Sequence, residues 1–167
     1  MAEVIHDAIA EIAAVPSVFD KVAFLGGDKK ATSFYAKGTK AIQLFDSSVD
    51  NSFLRTFGRN QRRITCECER SDEPSIIQVL NLNNGDTLNN KLAQKGSVVD
   101  RMIETHAGKD AELIESAYLA CLARYPTDQE KTMLLKELSE ATESEKRVTV
   151  EDFYWSLMTS REFLFNH

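Results

Sequence analysis

A mainly α fold of six to eight helices, with long ordered loops in the first half, is what this sequence predicts. Three observations carry it. Apolar residues recur at helical spacing in several separate stretches. Helix-capping patterns and Gly or Pro stops punctuate those stretches. Extended segments are confined to short candidates at Thr39–Phe45 and Arg62–Glu69, enough for one small strand pair.

In chain order, Val4, Ile5, Ala8, Ile9, Ile12 and Ala13 place one apolar face on a helix from Ala2 to Val15, which Pro16 ends. Residues 16–49 keep neither period and read as ordered loop. Asp50 or Ser52 starts a short helix through Phe53, Leu54 and Phe57, stopped by Gly58. Asp72 or Ser71 caps the next helix, with Pro74 in its first turn and Ile76, Ile77, Val79, Leu80 and Leu82 on its buried side. After the Asn83-Asn84-Gly85 break, Asp86 is placed to cap a helix ending at Gly96.

Two further helices, Val98–His106 and Lys109–Tyr125, flank Ala107-Gly108. The second carries an inward stripe of Ile114, Ala117, Tyr118, Cys121, Leu122 and Tyr125. Beyond Pro126, Thr127 and Glu130 form a capping box, leading a helix with Met133, Leu134 and Leu138 inward. Thr149 and Asp152 repeat that spacing before a final helix carrying Phe153, Leu157, Met158 and Leu164. Short connections make the last three helices an antiparallel cluster. The aromatic ending, Phe153, Tyr154, Trp155, Phe163 and Phe165, is too rich for one helix face. It predicts folding back on the core or contact with another domain.

The 167 residues suit a single domain able to bury its own core, and 43% hydrophobic with 28% charged content is ordinary for a globular chain. A net charge of -6 repels phosphate backbones, which argues against a general nucleic-acid partner. No apolar run reaches the roughly 18 residues a membrane span needs, so no direct membrane insertion is expected. Opening inside a helical pattern suits a C-terminal fragment of a larger multidomain protein. Three cysteines, an odd number, do not describe a disulfide framework.

Candidate chemistry concentrates between residues 55 and 92. Arg59, Arg62, Arg63 and Arg70, with Arg55 beside them, are candidates to grip a carboxylate, sulfate or phosphate through their guanidinium forks. Glu67, Glu69, Asp72 and Glu73 lie in the same window, and internal pairing is the competing use. Cys66 and Cys68, one residue apart on an extended chain, face the same way and are weak metal candidates. Cys121, His6, His106 and His167 stand at no standard ligand spacing, so structural thiols are the expectation and no metal or cofactor is assigned. The asparagines around Gly85 miss the calcium-loop spacing and fit caps and turns. The glutamates of the last 60 residues fall opposite the apolar stripes, as a solvated face does. No nucleophile, phosphate-loop or zinc-protease motif is present, and the three histidines supply no triad by sequence.

The stretch Thr56–Leu92, TFGRNQRRITCECERSDEPSIIQVLNLNNGDTLNNKL, has the look of a family signature. So have Ala117–Pro126 and the ending Ser160–His167. Together they resemble the C-terminal domain of unknown function of large planctomycete and verrucomicrobial proteins that often also carry a cytochrome c-like region. The resemblance implies an exported or cell-envelope protein with other domains upstream, and no catalytic residues to carry over. It leaves two functions open. One is a non-catalytic structural or interaction module partnered by those upstream domains. The other is an enzyme or enzyme accessory acting on polysaccharide, its Arg-rich segment holding an anionic or carbohydrate ligand.

Overall fold

The computed structural model describes residues 2–23, 28–45, 48–59 and 86–165. Contacts divide the chain into two compact units, one of Met1–Glu11 and Pro16–Thr87, the other of Ile12–Val15 and Leu88–His167. The fold is mainly helical with one two-stranded antiparallel sheet, the class the periodicities predict.

The first unit begins with α1, Ala2–Ile12, whose buried residues Ala2, Ile5, His6 and Ile9 recur at helical spacing. The helix stops short of the predicted Val15, because Ala14 turns left-handed at φ 55 before Pro16. The strand pair is β1, Lys21–Ala23, and β2, Lys29–Ala31, in the register Lys21↔Ala31, Val22↔Lys30, Ala23↔Lys29. It therefore lies in a stretch read as loop, and its physical reason is plain. Every residue of β2 is exposed, so no apolar alternation marks it, and main-chain pairing with the Lys29–Asp50 ion pair holds it. The main chain at Ser48–Asp50 extends the pairing, Ala23 N–H donating to Ser48 O at 2.7 Å and Asp50 N–H to Lys21 O at 2.9 Å.

The expected extended segment at Thr39–Phe45 is instead a 3₁₀ turn, Ala41–Gln43. Asp7 of α1 explains it. Its carboxylate accepts the amides of Ala41 at 2.6 Å and Ile42 at 3.1 Å, and paired amides of this kind belong to a turn rather than a strand. Next comes α2, Ser52–Thr56, capped by neither Asp50 nor Ser52 but by Asn51, whose Oδ1 accepts Leu54 N–H at 3.0 Å. Gly58, at φ 85, follows as predicted. Ile5, Ile9, Phe19, Leu44, Phe53 and Leu54 form the core of this unit. His6 is buried with them, its ring 5.5 Å from Phe19 and 5.6 Å from Phe53.

The second unit holds α3 (Asp86–Ala93), α4 (Val98–Thr105), α5 (Asp110–Leu122), α6 (Asp128–Glu140), α7 (Lys146–Met158) and α8 (Arg161–Phe165). Helices α5, α6 and α7 pack on one another, α4 lies against α7, and α8 touches α5 and α7. Leu113, Ile114, Ala117 and Cys121 of α5 meet Val150, Phe153, Tyr154 and Met158 of α7 in the buried set. Each large side chain hidden this way gains roughly 1.5–3 kcal/mol over leaving it in water.

Three predicted details differ. Tyr125 is 65% exposed, because α5 ends at Leu122 and Ala123 adopts a left-handed φ of 53, turning the chain before the stripe reaches Tyr125. Met133 is 67% exposed, since α6 buries only one narrow edge around Leu138. The last helix is two. Thr149 lies inside α7, which starts four residues earlier than its hydroxyl suggested, beyond a turn in which Glu145 Oε2 accepts Thr142 N–H at 3.0 Å. Ser160 then caps α8 through Phe163 N–H at 3.1 Å. That break folds Phe163 back to 2% exposure, and with Phe153 and Tyr154 also buried, the core takes up much of the aromatic ending.

Candidate functional site

Arg59 is the one described member of the predicted anion-binding set. It follows Gly58 at the end of α2 and is 12% exposed. Its Nη2 donates to Leu44 O at 2.9 Å and Nη1 to Ala41 O at 3.4 Å, while Nε stands 3.9 Å from Glu3 Oε1. The guanidinium therefore braces the 3₁₀ turn beside α1. Arg55 pairs with Asp50, which also takes Lys29 at 2.7 Å, and the Lys29 hydrogen bond holds that carboxyl below its usual range. Arg62, Arg63, Arg70, Cys66 and Cys68 lie outside the described residues, as does the helix predicted around Pro74. Among the described residues no three His, Cys, Asp or Glu side chains converge as metal ligands. Cys121 is buried on α5, and burial pushes its thiol up to about 12, which makes it inert.

The best-built polar cluster was not predicted. Arg124, just after α5, uses all five of its N–H donors. Nη1 and Nη2 each reach Glu130 at 3.0 Å, Nε and Nη2 reach Glu162 at 2.6 and 2.9 Å, and Nη1 also donates to Tyr125 O at 3.0 Å. The guanidinium carbon lies 5.1 Å from the centre of the Tyr118 ring. Glu130 is also the capping-box acid, accepting Thr127 N–H at 2.7 Å. Arg124 first, then that amide, hold its carboxyl down at about 2. The spacing of an arginine, a proline and a Thr-x-x-Glu box was legible, but the return of Glu162 from α8 was not.

Arg147 on α7 is committed in the same way, to Asp100 at 2.9 Å, Glu151 at 2.6 Å and the carbonyls of Leu92 and Ala93. Asp100 in turn accepts Gly96 N–H at 2.6 Å, the main reason its carboxyl titrates low.

One grouping has the outline of a nucleophile with its base. Ser116 Oγ lies 3.4 Å from His106 Nε2, and His106 Nδ1 lies 3.7 Å from Glu112 Oε2. Both contacts are long for catalytic hydrogen bonds. Ser116 sits inside α5, where its own amide belongs to the helix ladder and cannot serve an oxyanion. Glu112 is half exposed and shared with Lys109 at 3.1 Å.

Three surface features are open to a partner. On the first unit, Phe34, Ile42 and Phe45 are each about two-thirds exposed. The rings of Phe34, Tyr35 and Phe45 stand 5.2–5.7 Å apart, with Lys37 and Lys40 exposed nearby in sequence. On the second unit, a cleft of about 330 Å³ is lined by Asn89, Leu92, Glu151, Asp152 and Trp155. A neighbouring one of about 520 Å³ is lined by Ala93, Asp100, Ile103 and Arg147 among others.

These features define a helical fold in which Arg59, Arg124 and Arg147 are committed to internal contacts and Phe34, Tyr35 and Phe45 gather with Ile42 on the surface of the first unit. The chain belongs to the PSD1 family, described as a protein of unknown function (DUF1553), whose profile matches residues 2–138. Residues 139–167, including the ending Ser160–His167, lie beyond that match. No curated protein and no solved structure matches the chain.

Proposed function

We propose that this chain is a non-catalytic interaction module of a larger, envelope-associated bacterial protein, and that upstream domains of the same protein are its partners. The observation that carries the reading is the aromatic cluster of Phe34, Tyr35 and Phe45 with Ile42, held on the surface of the first unit. Leaving three large apolar side chains two-thirds exposed forgoes several kcal/mol of burial, on the order of 1–2 kcal/mol each, which a partner surface would restore. The internal commitment of Arg59, Arg124 and Arg147 supports the same reading, since a folding role accounts for each. Glycoside chemistry asks for two carboxylates at liberty in one cleft, and in the cleft that Glu151 and Asp152 line, one oxygen of Glu151 is tied to Arg147. The resemblance to planctomycete-type multidomain proteins supplies the envelope location. Among the described residues no helix is long and apolar enough to cross a membrane.

The test is amide hydrogen exchange on the full-length protein against this chain alone, with Phe34→Ser/Phe45→Ser in both. Segment 32–45 is expected to gain protection in the full-length protein and to lose it in the double variant. Equal exchange in all four samples would refute the module reading.

A further inference from the structure

We infer that the cleft between α3 and α7 is a binding site for a primary ammonium group carried on an aliphatic stem, of the kind a lysine side chain presents. Residues 151, 152 and 155 are spaced i, i+1 and i+4, so α7 turns two carboxylates and an indole toward one side. Asn89 and Leu92, three apart on α3, complete the lining. Leu92, 1% exposed, is an apolar floor for methylene groups.

The polar groups of this cleft differ in how far they are occupied. Glu151 gives one oxygen, Oε2, to Arg147 at 2.6 Å and keeps the other. Asp152 accepts no hydrogen bond and makes no ion pair among the described residues, although it is exposed at the cleft mouth. Glu151 and Asp152 line the cleft beside Arg147, and the neighbouring cleft adds Asp100 and Glu104 against Lys95, so four carboxylates face two cations within a chain already at -6. A cation seated in the cleft meets the unpaired Asp152 carboxylate beside the Trp155 indole, and the ring quadrupole adds to the charge where the cation lies over the ring. An anion is repelled by the same groups. A hard divalent ion wants several oxygen ligands, and Asp152 with half of Glu151 supplies too few. At about 330 Å³ the space suits one amino-acid-sized group.

Trp155 is the only tryptophan in the chain, so the cleft carries its own reporter. Intrinsic fluorescence is followed while the protein is titrated with Nα-acetyl-lysine amide, with its neutral Nε-acetylated analogue, and with glucose. A saturable change is expected with the amine alone, weakening several-fold between low and high salt. Asp152→Asn is expected to weaken binding about tenfold, a difference of about 1.4 kcal/mol. Glu137→Gln, the same charge change on an exposed face of α6, is expected to leave it unaltered. Asp152 holds no contact that folding needs, and a thermal melt by circular dichroism verifies that the variant is intact. No saturable response, an equal response in Asp152→Asn, or equal binding of the neutral analogue or of glucose would each overturn the assignment.

Discussion

Replacing Arg124 and Glu130 separately and together gives the sharpest test of the energetics. Moving the Glu130 carboxyl from its ordinary 4.5 to about 2 corresponds to roughly 3 kcal/mol if water never reached the pair. Both side chains are 34% exposed, and screening brings the coupling down to roughly 1–2 kcal/mol, part of which belongs to the Thr127 amide rather than to Arg124. The assay is a double-mutant cycle of Arg124→Met and Glu130→Gln, each unfolded in urea and followed by Trp155 fluorescence at pH 7. The pH dependence has a definite sign. Glu130 titrates lower in the folded state, so its stabilisation is complete above pH 4.5 and disappears as the pH falls through about 2. Between those limits the wild type should lose stability that Glu130→Gln has already lost. A coupling energy below about 0.3 kcal/mol at pH 7, or parallel acid profiles for wild type and Glu130→Gln, would refute the clamp as a source of stability.

Two further outcomes are expected. Cys121, buried and with its thiol pushed up to about 12, should resist a thiol reagent at pH 8 in the native protein and be labelled only after unfolding, as read by peptide mass spectrometry. Ala123 caps α5 in the left-handed region, so Ala123→Gly should stabilise the second unit by about 0.5–1 kcal/mol, seen as a higher urea midpoint with unchanged slope.

Much of the helical half was legible because local pattern and tertiary role agree there. Ile114, Ala117, Tyr118 and Cys121 repeat at helical spacing and are buried, and the Thr127–Glu130 box forms as read. The pattern failed where a distant group decides the local structure. Asp7 turns residues 41–43 into a 3₁₀ turn from 34 residues away, and no window of neighbouring residues contains that information. The β1–β2 pair escaped for a different reason, since β2 is exposed throughout and the Lys29 side chain finds its partner, Asp50, 21 positions further on. Of the candidate site, the charge of Arg59 was visible but its use was not, because its partners are main-chain carbonyls of Ala41 and Leu44 that every sequence possesses. The α3–α7 cleft joins Asn89 to Trp155 across 66 positions, and neither residue announces the other.

The position of α8 has a consequence for how the second unit is made. Synthesis delivers the chain from its N-terminal side, so Arg124 and Tyr118 leave the ribosome well before Glu162 and Phe163. Until those two arrive, one arm of the Arg124 fork faces water and the slot that Phe163 fills stands open. The nascent unit thus passes through a stage in which its helices are present but one apolar opening is uncovered. The segment that seals it is only five residues long, Arg161–Phe165. Removing Arg161–Phe165 would therefore uncover the Phe163 slot and release one arm of the Arg124 fork together.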